Sequence, residues 1–183
     1  MAVKALLTLE EFARLPDDDG FKYELDEGEL ITMSPPNVRH GWLQLRIAYI
    51  LQAYLDVHPL GRLTSESGFV LNRTPDTCRG PDIAFMSNER MSGVDPESWP
   101  EGGPDLAIEI ISPSDRPEHM SRKISQYLNA GTQIVWVVYP KSRTVRVHDS
   151  AGGVRSLGSG ETLTAPGVLP GFELALDRIF EGL

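Results

Sequence analysis

Gly80-Pro81-Asp82-Ile83-Ala84-Phe85-Met86 and Asp105-Leu106-Ala107-Ile108-Glu109-Ile110-Ile111 are two apolar runs of strand character, each with a carboxylate where carboxylates are costly. In the second run the two-residue period of a strand sets Leu106, Ile108 and Ile110 on one face. Ala107, Glu109 and Ile111 fall on the other, so Glu109 shares its face with apolar neighbours. Burying an unpaired charge costs on the order of several kcal/mol, comparable to the stability of a whole domain, so such a group is paired, protonated or bound to a metal. Asp82 opens the first run directly after a Gly-Pro turn. Pairing of the two strands would bring both carboxylates within reach of one hard cation.

Downstream, Ser112-Pro113-Ser114-Asp115 stops the Glu109 strand and caps a helix predicted over 116–130, closed by Gly131. Met120, Ile124, Tyr127 and Leu128 form its apolar stripe. At about 100° per residue, Lys123 lies at the edge of that stripe and Arg122 on the far side. The stem of Lys123 can therefore run along buried surface and carry its ammonium toward the sheet, although a lysine snorkelling on a helix flank shows the same pattern.

Upstream, Thr8-Leu9-Glu10-Glu11 reads as a capping box opening a short helix closed by Pro16, followed by a turn at 17–20. Strands at 21–25 and 29–33 flank Asp26-Glu27-Gly28, a hairpin signature. Alternation puts Tyr23 and Leu25 on one face and Lys22 and Glu24 on the other, and on pattern alone Glu24 faces solvent. A helix at 38–56 follows, with apolar residues over most of its circumference, which suits a buried central helix or one lying between the sheet and a partner subunit. His40, in its first turn, reads as structural, with a phosphate at that helix end as the functional alternative.

The remaining pattern gives strands at 62–66 and 68–71, a loop at 72–80, a long Pro- and Gly-rich loop at 87–104 pinned by Trp99, and a hairpin of 133–139 with 144–148. A meander at 150–171, a last strand at 172–176 and a terminal turn capped by Asp177 complete the chain. No P-loop, dinucleotide fingerprint or serine-nucleophile elbow is present.

With 183 residues the chain suits one domain, 1–183. Cys78 is the only cysteine, which excludes an intramolecular disulfide and a cysteine zinc site, and suits a loop thiol in a reducing cytoplasm. The N-terminus lacks the apolar core of a signal peptide, and the run at 134–139 is too short to span a membrane. A net charge of −9 opposes bulk coating of nucleic acid. Residues 112–148, however, carry six basic groups against two acidic ones, leaving −13 for the remainder.

Pro81-Asp82, then Glu109 in a hydrophobic strand, then a basic helix and an apolar strand, resembles the PD-(D/E)XK nuclease superfamily. The run Pro104-Asp105-Leu106, Glu109-Ile110-Ile111-Ser112-Pro113-Ser114, with Lys123, Tyr127, Gly131 and Val135-Trp136-Val137-Val138, is similar to the bacterial putative restriction endonuclease family within it. The likeness runs from Glu24-Leu25 and Gly28-Glu29-Leu30 through the strand at 144–148. It implies a restriction endonuclease-like α/β (α+β) fold, with a central mixed sheet, flanking helices at 38–56 and 116–130, and extra β-hairpins.

It further implies that Asp82, Glu109 and the Ile110 backbone carbonyl ligate Mg²⁺ or Mn²⁺, that Glu24 joins the acidic cluster, and that Lys123 is the site lysine, with His40 and Tyr127 as accessories. One position departs from the superfamily pattern: the lysine expected two residues after the glutamate is Ile111, and Lys123 would replace it from the helix. The implied protein is a metal-dependent endonuclease acting on nucleic acid, DNA foremost; the over-apolar helix at 38–56 with Trp42 points to a homodimer, and the lone cysteine to a cytoplasmic protein without a membrane partner. A catalytically degenerate scaffold serving as a nucleic-acid-binding or interaction protein is the alternative, favoured by the acidic balance and by Ile111.

Overall fold

The computed structural model describes residues 6–16, 21–113 and 115–183; the turn expected at 17–20 and Ser114 of the expected cap lie outside them. The first half of the chain forms α1 (Leu9–Phe12), β1 (Lys22–Asp26), β2 (Glu29–Met33), α2 (Val38–Val57), β3 (Gly61–Thr64), β4 (Phe69–Arg73), β5 (Asp76–Arg79), β6 (Ile83–Ser87) and α3 (Asn88–Met91). The second half forms β7 (Leu106–Ile110), α4 (Pro117–Asn129), β8 (Ile134–Tyr139), β9 (Thr144–Asp149), β10 (Val154–Leu157), β11 (Thr162–Ala165), β12 (Leu169–Ala175) and α5 (Asp177–Phe180).

Six strands make the central sheet in the order β10-β9-β8-β7-β6-β3. β7 and β8 pair in parallel and the other neighbours antiparallel, so the sheet is mixed, and α4 is the crossover that a parallel pair requires. A second sheet runs β2-β1-β5-β4, and β11 with β12 forms a ribbon. The architecture is the helix-flanked mixed sheet with added hairpins expected of a restriction endonuclease-like fold.

The alternation read from the sequence sorts the central sheet into two faces. Leu106, Ile108 and Ile110 of β7, Ile83 and Phe85 of β6 and Trp136 of β8 share a core with α2, the ribbon and α5. On the opposite face Ala107, Val135 and Val137 pack against Ile124 and Tyr127 of α4. Phe69 of β4 meets Ala84 and Met86 of β6, which lays the smaller sheet over the same face as α4. Its outer side is closed by α1 through Leu9, Phe12, Leu25, Val70 and Cys78.

Several expectations change. The loop expected at 72–80 contains β5, an inner strand between β1 and β4; Asp76-Thr77-Cys78-Arg79 has no apolar alternation to mark it. Cys78 is accordingly a buried strand residue, its thiol pushed up to about 12 by burial and inert as a nucleophile. The long helix is not buried all round. Leu43, Ile47, Leu51 and Leu55 form its inner stripe, while Leu45 and Tyr49 are 74% and 72% exposed. The stretch at 150–171 divides, β10 completing the central sheet and β11 entering the ribbon. The loop at 87–104 begins with the single-turn α3, and Trp99 does anchor it: its ring lies 5.3 Å from that of Phe12. A Cβ at Gly68 would stand 2.9 Å from the same indole, so the contact needs a residue without a side chain there. Among the described residues no helix is long and apolar enough to cross a membrane.

Leu51 is fully buried between α2 and the central sheet. Leu51→Ala is expected to lower unfolding stability by about 2–5 kcal/mol, read as a lower urea midpoint at unchanged m-value.

Candidate active site

The antiparallel register of β6 and β7 sets Ile83 opposite Ile108 and Ala84 opposite Ala107. One step further, Asp82 comes alongside Glu109 on the face away from the Ile83 core. Asp82 is 7% exposed, and its Oδ2 accepts the Ile110 amide at 2.7 Å and faces His40 Nε2 at 3.2 Å. Its backbone carbonyl accepts from Gln44 Nε2 at 2.9 Å and Ser65 Oγ at 3.1 Å, so α2 and the segment after β3 both fix its position.

Glu109 is 4% exposed and meets two groups from α4. The Tyr127 hydroxyl donates to Oε1 at 2.8 Å, and Lys123 Nζ reaches Oε1 at 2.9 Å and Oε2 at 3.0 Å. The same ammonium lies 2.9 Å from Glu24 Oε1. Glu24 is held from behind by the Gly80 amide at 3.0 Å and Arg79 Nη1 at 3.1 Å. Arg79 Nη2 continues to Asp26 at 2.7 Å, and Gln126 Nε2 closes the network on that carboxylate at 2.7 Å.

Two readings are corrected here. Glu24 is 2% exposed, not solvent-facing. Its face was assigned correctly, but β1 is covered on both sides, by the α1 cluster on one and by α4 and the central sheet on the other. Arg122 does not point away: its guanidinium lies 3.5 Å from Asp26. Arg79, Asp26 and Gln126 escaped the sequence reading. For two of them a signal existed, since the period that places Glu24 also places Asp26, and Arg79 directly precedes Gly80-Pro81-Asp82.

Glu24, Asp82, Glu109, Lys123, His40 and Ile110 all line one cleft of about 670 Å³, while Tyr127 lies buried beneath it. The buried carboxylates Glu24, Asp26, Asp82 and Glu109 face two permanent cations, the buried Arg79 and the partly buried Lys123. Burial pushes Glu109 up to about 7, with Asp82 and Glu24 acting in the same direction against Lys123. For Glu24 burial is outweighed by Lys123 and Arg79, and for Asp82 by His40; both stay below the usual carboxylate range. Burial pulls the Lys123 ammonium down, but Glu109 and Glu24 overcome it and hold it charged far above neutral pH.

Among the described residues no three His, Cys, Asp or Glu side chains already form a metal cage. Asp82 and Glu109 nevertheless suit a divalent cation: they are oxygen donors at a site with surplus negative charge, open to a cleft.

The Uma2 family model, described as "Putative restriction endonuclease", matches residues 9–177. Among solved structures, that of a putative nuclease belonging to DUF820 from Anabaena variabilis is similar, with a TM-score of 0.83 and 22% sequence identity. The alignment covers 95% of this chain and 97% of that one, and at this identity it supports the fold. No curated protein matches the chain.

Glu109 keeps its proton to about pH 7 when folded but to about 4.5 when unfolded. Between those values the folded state binds more protons, so stability falls as pH rises through the window. His40, pulled down by burial but raised on balance by Asp82, adds a loss of the same sign above its unfolded value of 6.5. The lowered carboxylates Glu24, Asp26 and Asp82 act only at more acid pH, where their contribution is lost as pH falls. The melting temperature is expected to decline from pH 5 to 7.5, and Glu109→Gln to make that decline shallower. An unchanged slope in Glu109→Gln would assign it to another group.

Proposed function

The chain belongs to the putative restriction endonuclease family, and from that premise we propose that it is a divalent-metal-dependent nuclease hydrolysing phosphodiester bonds, with DNA as substrate. The observation that carries the reading is the meeting of Asp82 and Glu109, from neighbouring antiparallel strands, with Lys123 at the floor of one cleft. Asp82 and Glu109, with the Ile110 carbonyl, would hold Mg²⁺ or Mn²⁺. When bound, such an ion supplies Lewis-acid polarisation of a phosphoryl oxygen and a more acidic water.

The chain's own groups do the positioning. Tyr127 fixes one oxygen of Glu109, and His40 with the Ile110 amide fixes Asp82. Lys123 offers a compact positive charge to a phosphate entering the cleft, a role that Ile111 cannot fill. Glu24, backed by Arg79, holds that ammonium beside Glu109. The reading extends to a homodimer joined through the exposed Leu45 and Tyr49 of α2, acting in the cytoplasm, where the lone Cys78 needs no oxidising partner.

Asp82→Ala is expected to abolish both Mn²⁺ binding by calorimetry and the cleavage of mixed single- and double-stranded nucleic acids in Mg²⁺ or Mn²⁺. Wild-type protein that cleaves nothing, and binds Mn²⁺ no better than Asp82→Ala, would instead identify a non-catalytic scaffold. Lys123→Met should cut cleavage by roughly two or more orders of magnitude. It also strands Glu24 and Glu109 without their cation, at a stability cost of about 3–5 kcal/mol, so the assay belongs at a temperature where circular dichroism shows the variant folded. Arg155→Met, on exposed β10 away from the cleft, is expected to cleave at the wild-type rate.

A further inference from the structure

The cleft also bears on the form of the strand that enters it. We propose that this strand is unpaired at the site, as a single-stranded stretch, flap or frayed end, and not as uninterrupted duplex; the inference rests on the nuclease reading of the same site. Three observations converge.

The first is depth. Asp82 and Glu109 are 7% and 4% exposed at the floor of a concave cleft of about 670 Å³. A duplex is a convex rod with its bases stacked inside, and it reaches such a floor only as far as its backbone protrudes. A separated strand can bend in, as substrates do for enzymes that act on nucleotides outside the stack.

The second is the wall. Ile31 and Met33 of β2, Pro35 and Pro36 after it, Pro113 and Met120 all line the cleft, and all are partly or fully exposed. Contacts to a duplex backbone are polar and charged, and would leave this wall with nothing to pack against. Unpaired bases present apolar faces that can lie on it while their phosphates turn toward Lys123.

The third is charge. Among the described residues, the lysines and arginines lining the cleft besides Lys123 are Lys22, Arg79 and Arg116, and Arg79 is buried and spent on Glu24 and Asp26. Lys22 and Arg116 are a small set for a duplex footprint on a chain of net charge −9.

The test is fluorescence anisotropy with the full chain and Ca²⁺, using a short labelled DNA strand alone or annealed to its complement. The single strand is expected to bind at least tenfold tighter. With phosphates neutralised by Lys22, Arg116 and Lys123, raising salt from 50 to 200 mM should weaken it only about twentyfold. Ile31→Ser/Met33→Ser, on the edge strand β2, should weaken single-strand binding at least fivefold and leave duplex binding unchanged. Met120→Ser on α4 is the second variant should the first not fold. Equal or tighter duplex binding, or an affinity loss of a thousandfold or more over the same salt range, would overturn the proposal. Asp82-dependent nicking of intact duplex in preference to single strand would overturn it too, while leaving the nuclease reading in place. Preferential single-strand binding without cleavage of any substrate would remove the nuclease reading alone.

Discussion

Taking an ammonium and two carboxylates out of water costs several kcal/mol per ion, and the place of Lys123 between Glu24 and Glu109 is where that cost is offset. The contact joins three parts of the fold. Glu109 comes from the central sheet, Lys123 from the crossover helix and Glu24 from the smaller sheet. None can move without leaving a buried charge unpaired, so α4 must dock in one register and β1 must lie over the site. Arg79 extends the same constraint through Glu24 and Asp26 to Gln126, back on α4. The network closes on itself, which lets a small, acidic chain keep Glu24, Asp26 and Glu109 in its interior.

Much of this was legible because the acidic strands break a rule. A glutamate among Ala107 and Ile111 is conspicuous, and strand period alone assigns it a face. The antiparallel pairing that brings Asp82 alongside could be expected though not proven from the pattern. Lys123 was legible as a stripe-edge residue because helical angles are nearly fixed. Glu24 was misread for a different reason: alternation separates faces but does not say what covers them, and β1 is covered on both. The strand β5 went unseen because Asp76 and Thr77 resemble turn residues, and only pairing on both sides makes an inner strand of them. Arg79, the residue that makes the burial of Glu24 and Asp26 tolerable, stood inside that unseen strand. What the sequence withheld was therefore set by long-range pairing, while what it disclosed was set by local period.

The two faces of the central sheet carry different work. On the α2 side, Leu106, Ile108 and Trp136 belong to a continuous apolar core with the ribbon and α5. On the α4 side the same strands hold Ala107, Val135 and Val137, a smaller cluster that leaves room for Glu109, Asp82 and their partners. Stability is thus concentrated behind the sheet and polar chemistry in front of it, with α2 contributing to both through Leu51 behind and His40 at its start.

The departure at Ile111 gains a physical meaning from this layout. By alternation position 111 lies on the face of Glu109, and there Ile111, like Met120 and Leu128, packs against the cluster that seats α4 on the sheet. An ammonium at that point would need a polar partner within an apolar seam. Lys123 instead approaches Glu109 from the helix side, with its stem beside that seam and its ammonium directed at two carboxylates. A strand lysine is fixed by the sheet alone, but a helix lysine is in place only when α4 is docked. The apolar residue at 111 strengthens that docking, so the departure and its replacement act together: Ile111 helps to hold the helix that delivers the charge.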